Sequence, residues 1–218
     1  MDILYEDKNI LICRKNPGVV SQHSPDGNGL ADEVMQYCGY AGIIHRLDLN
    51  VGGALVFGKN KSAAAKLSGL VSENKIIKKY LAVIHGCPAE ESGALEDLLF
   101  KDSSKNKTYV VKRMRKGVRM ASLEYRLIAT SLLNGENVSL VEIRLHTGRT
   151  HQIRVQFASR KMPLLGDGKY GSHDNMPGLA LWSCSMEFVS PFDGQKISVT
   201  SMPDSNVLPW NLFDEFLC

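Results

Sequence analysis

Apolar positions repeat with two different periods along the chain. Asn9-Ile10-Leu11-Ile12-Cys13 is a short, nearly continuous apolar run cut off by Lys15-Asn16-Pro17-Gly18, which predicts a buried strand ending in a turn. Leu30 to Tyr37 suits one helix. Gly53-Ala54-Leu55-Val56-Phe57-Gly58 reads as a second buried strand, and Asn60 then caps a helix that begins Lys61-Ser62-Ala63-Ala64-Ala65-Lys66-Leu67 and runs toward Asn74. Further strands are expected over Lys79 to His85, Ser122 to Thr130, Val138 to His146 and Lys196 to Thr200; Val141, Ile143 and Leu145 carry the period of two. Thr150 is placed to cap a short helix through Ala158, with Ile153 and Phe157 turned inward and Gln152 and Arg154 on other faces. The connections are too short for repeated β-α-β crossovers. The expected class is α+β, a mixed and mainly antiparallel sheet with flanking helices.

Composition narrows this picture. A chain of 218 residues, 44% hydrophobic, suffices for one sizeable core, and residues 1–218 are read as a single domain. No apolar run approaches 18 residues and the acidic start Met1-Asp2-Ile3-Leu4-Tyr5-Glu6-Asp7 is unlike a leader, so a cytoplasmic protein with no membrane association is expected. The five cysteines, Cys13, Cys38, Cys87, Cys184 and Cys218, are widely spaced and suggest free, mostly buried thiols. No Cys-x-x-Cys is present and no other His or Cys stands at metal-ligand spacing from His151, so no zinc site is indicated.

Charge is distributed unevenly. The net charge is +3, yet residues 101–160 hold 13 Lys/Arg against 4 Asp/Glu. The densest run is Lys112-Arg113-Met114-Arg115-Lys116-Gly117-Val118-Arg119. A solvated loop is one reading; a phosphate-binding surface is the other, favoured because the run keeps one sign and lies between two motif segments.

Those segments are Gly42-Ile43-Ile44-His45-Arg46-Leu47-Asp48 and Gly148-Arg149-Thr150-His151-Gln152-Ile153-Arg154. By itself Asp48 suits a salt bridge or a turn cap, and His45 and His151 suit hydrogen-bonded structural roles. A carboxylate kept ionised in a closed site is also a competent nucleophile or base at a sugar, and Arg154 has the fork to hold it ionised. Together with Lys78-Lys79-Tyr80-Leu81-Ala82 and Pro163-Leu164-Leu165-Gly166-Asp167-Gly168-Lys169-Tyr170-Gly171, the two segments resemble, in order and spacing, the RluA-type RNA pseudouridine synthases. His-Arg-x-Asp here lacks the kinase arrangement, and no Walker loop is present.

The resemblance implies a catalytic core with a central cleft, no metal or cofactor, and structured RNA (rRNA or tRNA) as partner of a monomer. It implies Asp48 as catalytic acid, Tyr80 as the ring under the target base, Arg154 as ion-pair partner of Asp48, and Arg46 as a filler of the space left by the flipped nucleotide. Leu181 matches an apolar residue near the tyrosine. His45, Arg149, His151 and Gln152 join the substrate site, and Lys112, Arg113, Arg115, Lys116 and Arg119 the RNA grip, in a region that is a mobile loop in the family. The family's small RNA-binding domain is not expected, since the chain opens into the core strand. Three segments depart from the pattern: Val51-Gly52-Gly53 stands for Thr-Ser-Gly, Arg14-Lys15-Asn16 for Asn-Lys-Pro, and Leu181-Trp182-Ser183 for Leu-His-Ala. They leave open a rival, an RNA-binding or maturation factor without catalysis.

Overall fold

The structure, a computed structural model, describes residues 1–217; Cys218, one of the expected free thiols, lies outside the described residues. The chain folds as two compact units, Met1–Lys79 with Trp182–Pro203, and Tyr80–Leu181 with the residues from Asp204 onward.

In the first unit β1 (Asp2–Glu6), β2 (Ile10–Lys15), β4 (Gly52–Gly58) and β10 (Leu181–Val189) lie side by side; β3 (Gly42–Ile43) pairs with β4 and β11 (Lys196–Thr200) with β10. Every pair is antiparallel except β4 with β10. All seven residues of β4 are buried, as expected for an apolar run covered on both faces. Two helices flank the sheet. In α1 (Leu30–Cys38) Asp32 accepts the Gly29 and Ser24 N–H groups, and Gly39 ends the helix at φ 74°. In α2 (Lys61–Ser72) the Asn60 side chain accepts Ala63 N–H at 2.9 Å, worth about 1 kcal/mol, and Leu67 packs with Ile10, Ile12, Val56 and Phe188.

The second unit orders its strands β5 (Ile77–His85), β9 (Glu136–Leu145), β8 (Val118–Leu133), β6 (Ser92–Asp102) and β7 (Lys107–Val111). The pairs β9/β8, β8/β6 and β6/β7 are antiparallel. Helix α3 (Gln152–Ala158) packs Val155 against Leu99 and Ala121 of this sheet. The class is α+β, a mixed and mainly antiparallel sheet structure with few helices. No helix is long and apolar enough to cross a membrane.

Three expectations need correction. Residues 101–119 do not form one basic loop: they belong to β6, β7 and the start of β8, joined by two tight connections. Glu96 and Asp97 interrupt the apolar period of β6, and the surrounding lysines obscure that of β7. Thr150 does not cap α3. The N-cap is His151 in the left-handed region at φ 53°, without a side-chain cap, while the Thr150 carbonyl accepts the Thr108 hydroxyl. Gln152 points inward and is buried, because its amide closes the turn that precedes the helix.

Candidate active site

The acid of the first motif sits in a turn that is fastened at several points within the first unit. Ser21 Oγ accepts Leu47 N–H at 3.0 Å and donates to Leu47 C=O at 2.8 Å. One residue after Asp48, the Leu49 carbonyl accepts from both Gly18 N–H and Lys15 Nζ. Val51 N–H closes the turn on Asp48 C=O at 3.0 Å.

Lys15 has 0% exposure, and its ammonium donates to the carbonyls of Asn16, Val19 and Leu49 at 3.0, 2.7 and 3.0 Å. A buried lysine is rare because desolvating its charge is costly. Burial pulls its pKa down to about 8, and the Asp48 charge opposes that pull. Lys15 therefore joins the turn after β2 to the turn of Asp48 and places a cation near the acid. The sequence places Lys15 at the end of an apolar strand and in the segment that stands for Asn-Lys-Pro, and neither position reveals that its ammonium is buried.

Two of the departures from the family pattern are one packing feature. Gly52 pairs with Trp182 in the β4/β10 register, and a Cβ at Gly52 would lie 2.2 Å from Trp182 Cζ3. The indole is fixed by its N–H to Ser201 C=O at 2.8 Å, so it leaves no room for a side chain at position 52.

His45 and Arg46 flank this turn with different properties. His45 Nε2 is buried and, among the described residues, has no hydrogen-bond partner; burial lowers the imidazole pKa to about 3, so it brings no positive charge at neutral pH. Arg46 is exposed and donates to Gln22 Oε1 at 2.9 Å.

The second motif is built around Arg154 in the second unit. Its Nε and Nη2 meet Asp167 Oδ2 and Oδ1 at 2.7 and 2.8 Å, and Asp167 is buried. This bidentate pair occupies two of the five guanidinium donors and sets the plane of the fork. The Tyr170 ring lies below it, with Arg154 Cζ 5.1 Å from the centroid. Tyr170 Oη accepts Thr108 N–H and pairs with His151 Nδ1, each at 2.9 Å. His151 and Arg154 are thus tied to the segment Asp167–Tyr170.

The next segment is held by His85, whose Nε2 is 2.8 Å from Ser172 Oγ and 2.8 Å from Asp174 Oδ2, while Ser172 also bonds Asp174. The three types are those of a hydrolase triad, yet one imidazole nitrogen serves both partners. Asp174 also accepts Gly166 and Met176 N–H, so the cluster fastens a loop. Asp167→Asn should remove the charge that faces Arg154 Nε and Nη2 and cost about 3 kcal/mol in urea unfolding; an unchanged midpoint and slope would show that the pair does not hold this segment.

The remaining candidates fall into separate places. Tyr80 in β5 and Leu181 at the start of β10 are buried. Gln152 is spent on structure: Oε1 accepts from Thr147 Oγ1 and Arg149 N–H, and Nε2 donates to Ser122 C=O. Arg149 is exposed and its Nε donates to Met120 C=O. Lys112, Arg113, Arg115, Lys116 and Arg119 are all exposed at or beside the connection from β7 to β8, with Arg115 over the Phe100 ring at 4.9 Å. Among the described residues no cluster of three or more His, Cys, Asp or Glu could hold a metal ion.

Comparison with known proteins supplies the context. Residues 9–159 match the family model described as RNA pseudouridylate synthase. An uncharacterized RNA pseudouridine synthase of Synechocystis is 32% identical, over 93% of this chain and 66% of its own length. Ribosomal large subunit pseudouridine synthase C of Rickettsia typhi is 30% identical (80% and 58%), and synthase D of Zymomonas mobilis 32% (90% and 67%). The chain thus spans roughly three fifths to two thirds of the length of these relatives. Among solved structures, human RNA pseudouridylate synthase domain containing 1 shares the fold with a TM-score of 0.78 at 24% identity, covering 94% of this chain and 83% of that one. Domain containing 4 does so at 0.74 and 20%, covering 92% and 87%. With its family model spanning both motif segments, the chain belongs to the RNA pseudouridylate synthase family.

Proposed function

We propose that this protein is an RNA pseudouridine synthase, isomerising uridine in structured RNA with Asp48 as the catalytic carboxylate. The observation that carries the reading is the Asp48 turn, fastened through Ser21 and the buried Lys15 in a chain that belongs to the family. A protein that only bound RNA would need surface cations and no such investment around one carboxylate. The names of the relatives favour ribosomal RNA of the large subunit over transfer RNA as the substrate.

In this reading the uridine is flipped out of its helix, at a cost of a few kcal/mol. Arg46 fills the vacated space, and Arg154, its fork set by Asp167, is the proposed ion-pair partner of Asp48. Asp48 promotes cleavage of the bond between N1 of the base and the ribose, as nucleophile at the anomeric carbon or as base at its neighbour. The detached uracil turns and its carbon 5 bonds to the ribose. Tyr80 stacks on the base and its hydroxyl accepts the proton that carbon 5 loses. Nothing is oxidised or reduced: N1 gains a proton in place of its bond to the ribose, and carbon 5 gives one up for its new bond. His45, His151, Leu181 and Arg149 serve as surroundings of the base and backbone.

Tritium release from RNA labelled at carbon 5 of uridine tests the activity. Release with product pseudouridine is expected, and its absence with ribosomal and transfer RNA alike would leave the binding-factor reading.

The grip on phosphates is tested separately. Neutralising two of Lys112, Arg113, Arg115, Lys116 and Arg119 should weaken binding about equally across RNA sequences and flatten the logarithmic salt slope by roughly one unit or more. Identical slopes for wild type and double variant would exclude the segment, because a distant charge is screened within about 10 Å at 0.1 M salt.

A further inference from the structure

The sheet formed by β6, β7 and β8 has two unlike faces. One packs Leu99, Ala121 and Val110 against Val155 and Tyr170. On the other, the registers set Phe100 opposite Tyr109 and Val118, and Leu98 opposite Val111 and Met120. Only Val118 of these six is buried. Tyr109 is 37% and Met120 51% exposed, and Met114, in the connection from β7 to β8, is 61% exposed.

One cation of this face stands on a ring: Arg115 Cζ is 4.9 Å from the Phe100 centroid. Lys107 Nζ, 6.0 Å from the Tyr109 centroid, lies nearer Tyr170 at 5.2 Å. Gly117, at φ +84°, lets the chain turn beside the Phe100 ring: a Cβ there would lie 3.4 Å from Phe100 Cε2. Lys112, Arg113 and Lys116 are exposed nearby with Asp102 opposite Lys107, Arg119 opposes Leu99 and so belongs to the other face, and Glu96 and Glu124 stand farther along the strands, where Glu96 opposes Ser122 and Ala94 opposes Glu124. The surface is therefore aromatic with an excess of cations at one end and acidic at the other.

A protein partner is a poor match, since protein interfaces are depleted of lysine and this face is bordered by it. Nucleic acid uses both features at once: bases have apolar π faces that stack on tyrosine or on a guanidinium plane, and phosphates take the surrounding charges. Bases inside a duplex have no face to offer. Tyr109 and Phe100, the latter under the Arg115 guanidinium, stand directly opposite each other on neighbouring strands, roughly 5 Å apart, and the two surfaces offer a face to one base each.

We propose that the outer face of β6, β7 and β8 is a stacking platform for about two unpaired nucleotides of the RNA substrate, with Tyr109 and the Arg115 guanidinium on Phe100 as the stacking surfaces. The inference rests on the reading of the protein as an RNA enzyme and adds that it engages single-stranded nucleotides through base faces as well as phosphates.

The test is binding of fluorescently labelled RNA by the full chain at several salt concentrations, with a 12-nucleotide single strand and a blunt duplex of the same sequence. Tyr109→Ala should weaken single-strand binding roughly 5- to 100-fold, the range for one base–aromatic stack, with an unchanged salt slope and little effect on the duplex. Tyr109→Phe should bind like wild type. An unchanged single-strand affinity for Tyr109→Ala, with a melting temperature equal to wild type, would overturn the proposal and leave the face to a protein partner. Equal losses on strand and duplex, or a flattened slope, would also overturn it, since these mark a phosphate contact. Tyr109-dependent strand binding without tritium release would sustain the platform while removing the enzymatic reading; turnover with Tyr109-insensitive binding would do the reverse.

Discussion

Asp48→Asn is expected to lower tritium release from uridine-labelled RNA by at least a thousandfold, about 4 kcal/mol of transition-state stabilisation, while RNA affinity and melting temperature stay close to wild type. The amide has the shape of the carboxylate and lacks its charge and basicity, so the substitution removes chemistry and spares packing. The turn itself is held by main-chain groups, Leu47 on Ser21, Leu49 on Lys15 and Gly18, and Val51 on the Asp48 carbonyl, none of which the substitution touches. Turnover by the asparagine variant within a few-fold of wild type would remove Asp48 from the mechanism. A collapse in melting temperature would instead make the carboxylate a structural group.

Lys15→Met is expected to reduce turnover at least tenfold at pH 7 with a small change in stability. Lowering the Lys15 pKa from 10.5 to about 8 corresponds to roughly 3 kcal/mol spent on keeping the ammonium charged in the interior. That cost is present in full below pH 8 and fades as the pH rises from about 8 to 10.5, because across that window the unfolded chain holds the proton more firmly than the native one. Methionine removes the cost and also removes three charge-assisted bonds to the carbonyls of Asn16, Val19 and Leu49, so the two effects offset. Function does not share in that offset. Once Lys15 loses its proton it loses its positive charge near Asp48 and one donor to the carbonyls, and wild-type turnover should fall on the alkaline side of about pH 8 even as this contribution to stability improves. A variant retaining full activity, or one with the same alkaline limb as wild type, would show that the buried cation does not govern the Asp48 turn.

Elements were legible where apolar runs stood apart from charge. The strands beginning near Ile10 and Gly53, the Asn60 cap and β11 need only local chemistry, and the structure has them within one or two residues. Strands β6 and β7 were hidden because Glu96, Asp97, Lys101 and Lys107 mask the alternation, and a strand in a three-stranded hairpin array needs only one apolar face. The direction of Gln152 was missed for a different reason. Helical periodicity does not reveal that an amide will be drawn inward to satisfy Thr147, Arg149 and Ser122.

The candidate site divides in the same way. Asp48, Tyr80 and Arg154 could be named from the sequence because reactive side chains sit in short, recognisable stretches. Their supports could not, because Lys15 acts on Leu49 across 34 residues, Ser21 on Leu47 across 26 and Asp167 on Arg154 across 13. What the sequence by itself determined was the α+β class, the family resemblance, the acid and its candidate partners, and the excess of positive charge between residues 101 and 160. Only the tertiary structure decided that a strand-end lysine is buried with three carbonyls, that Gly52 and Trp182 are one packing unit, and that the basic run lies on the connection of a sheet with an aromatic face. Periodicity and charge are properties of neighbours along the chain. Burial, hydrogen-bond satisfaction and the pairing of faces depend on which distant segments the fold brings together.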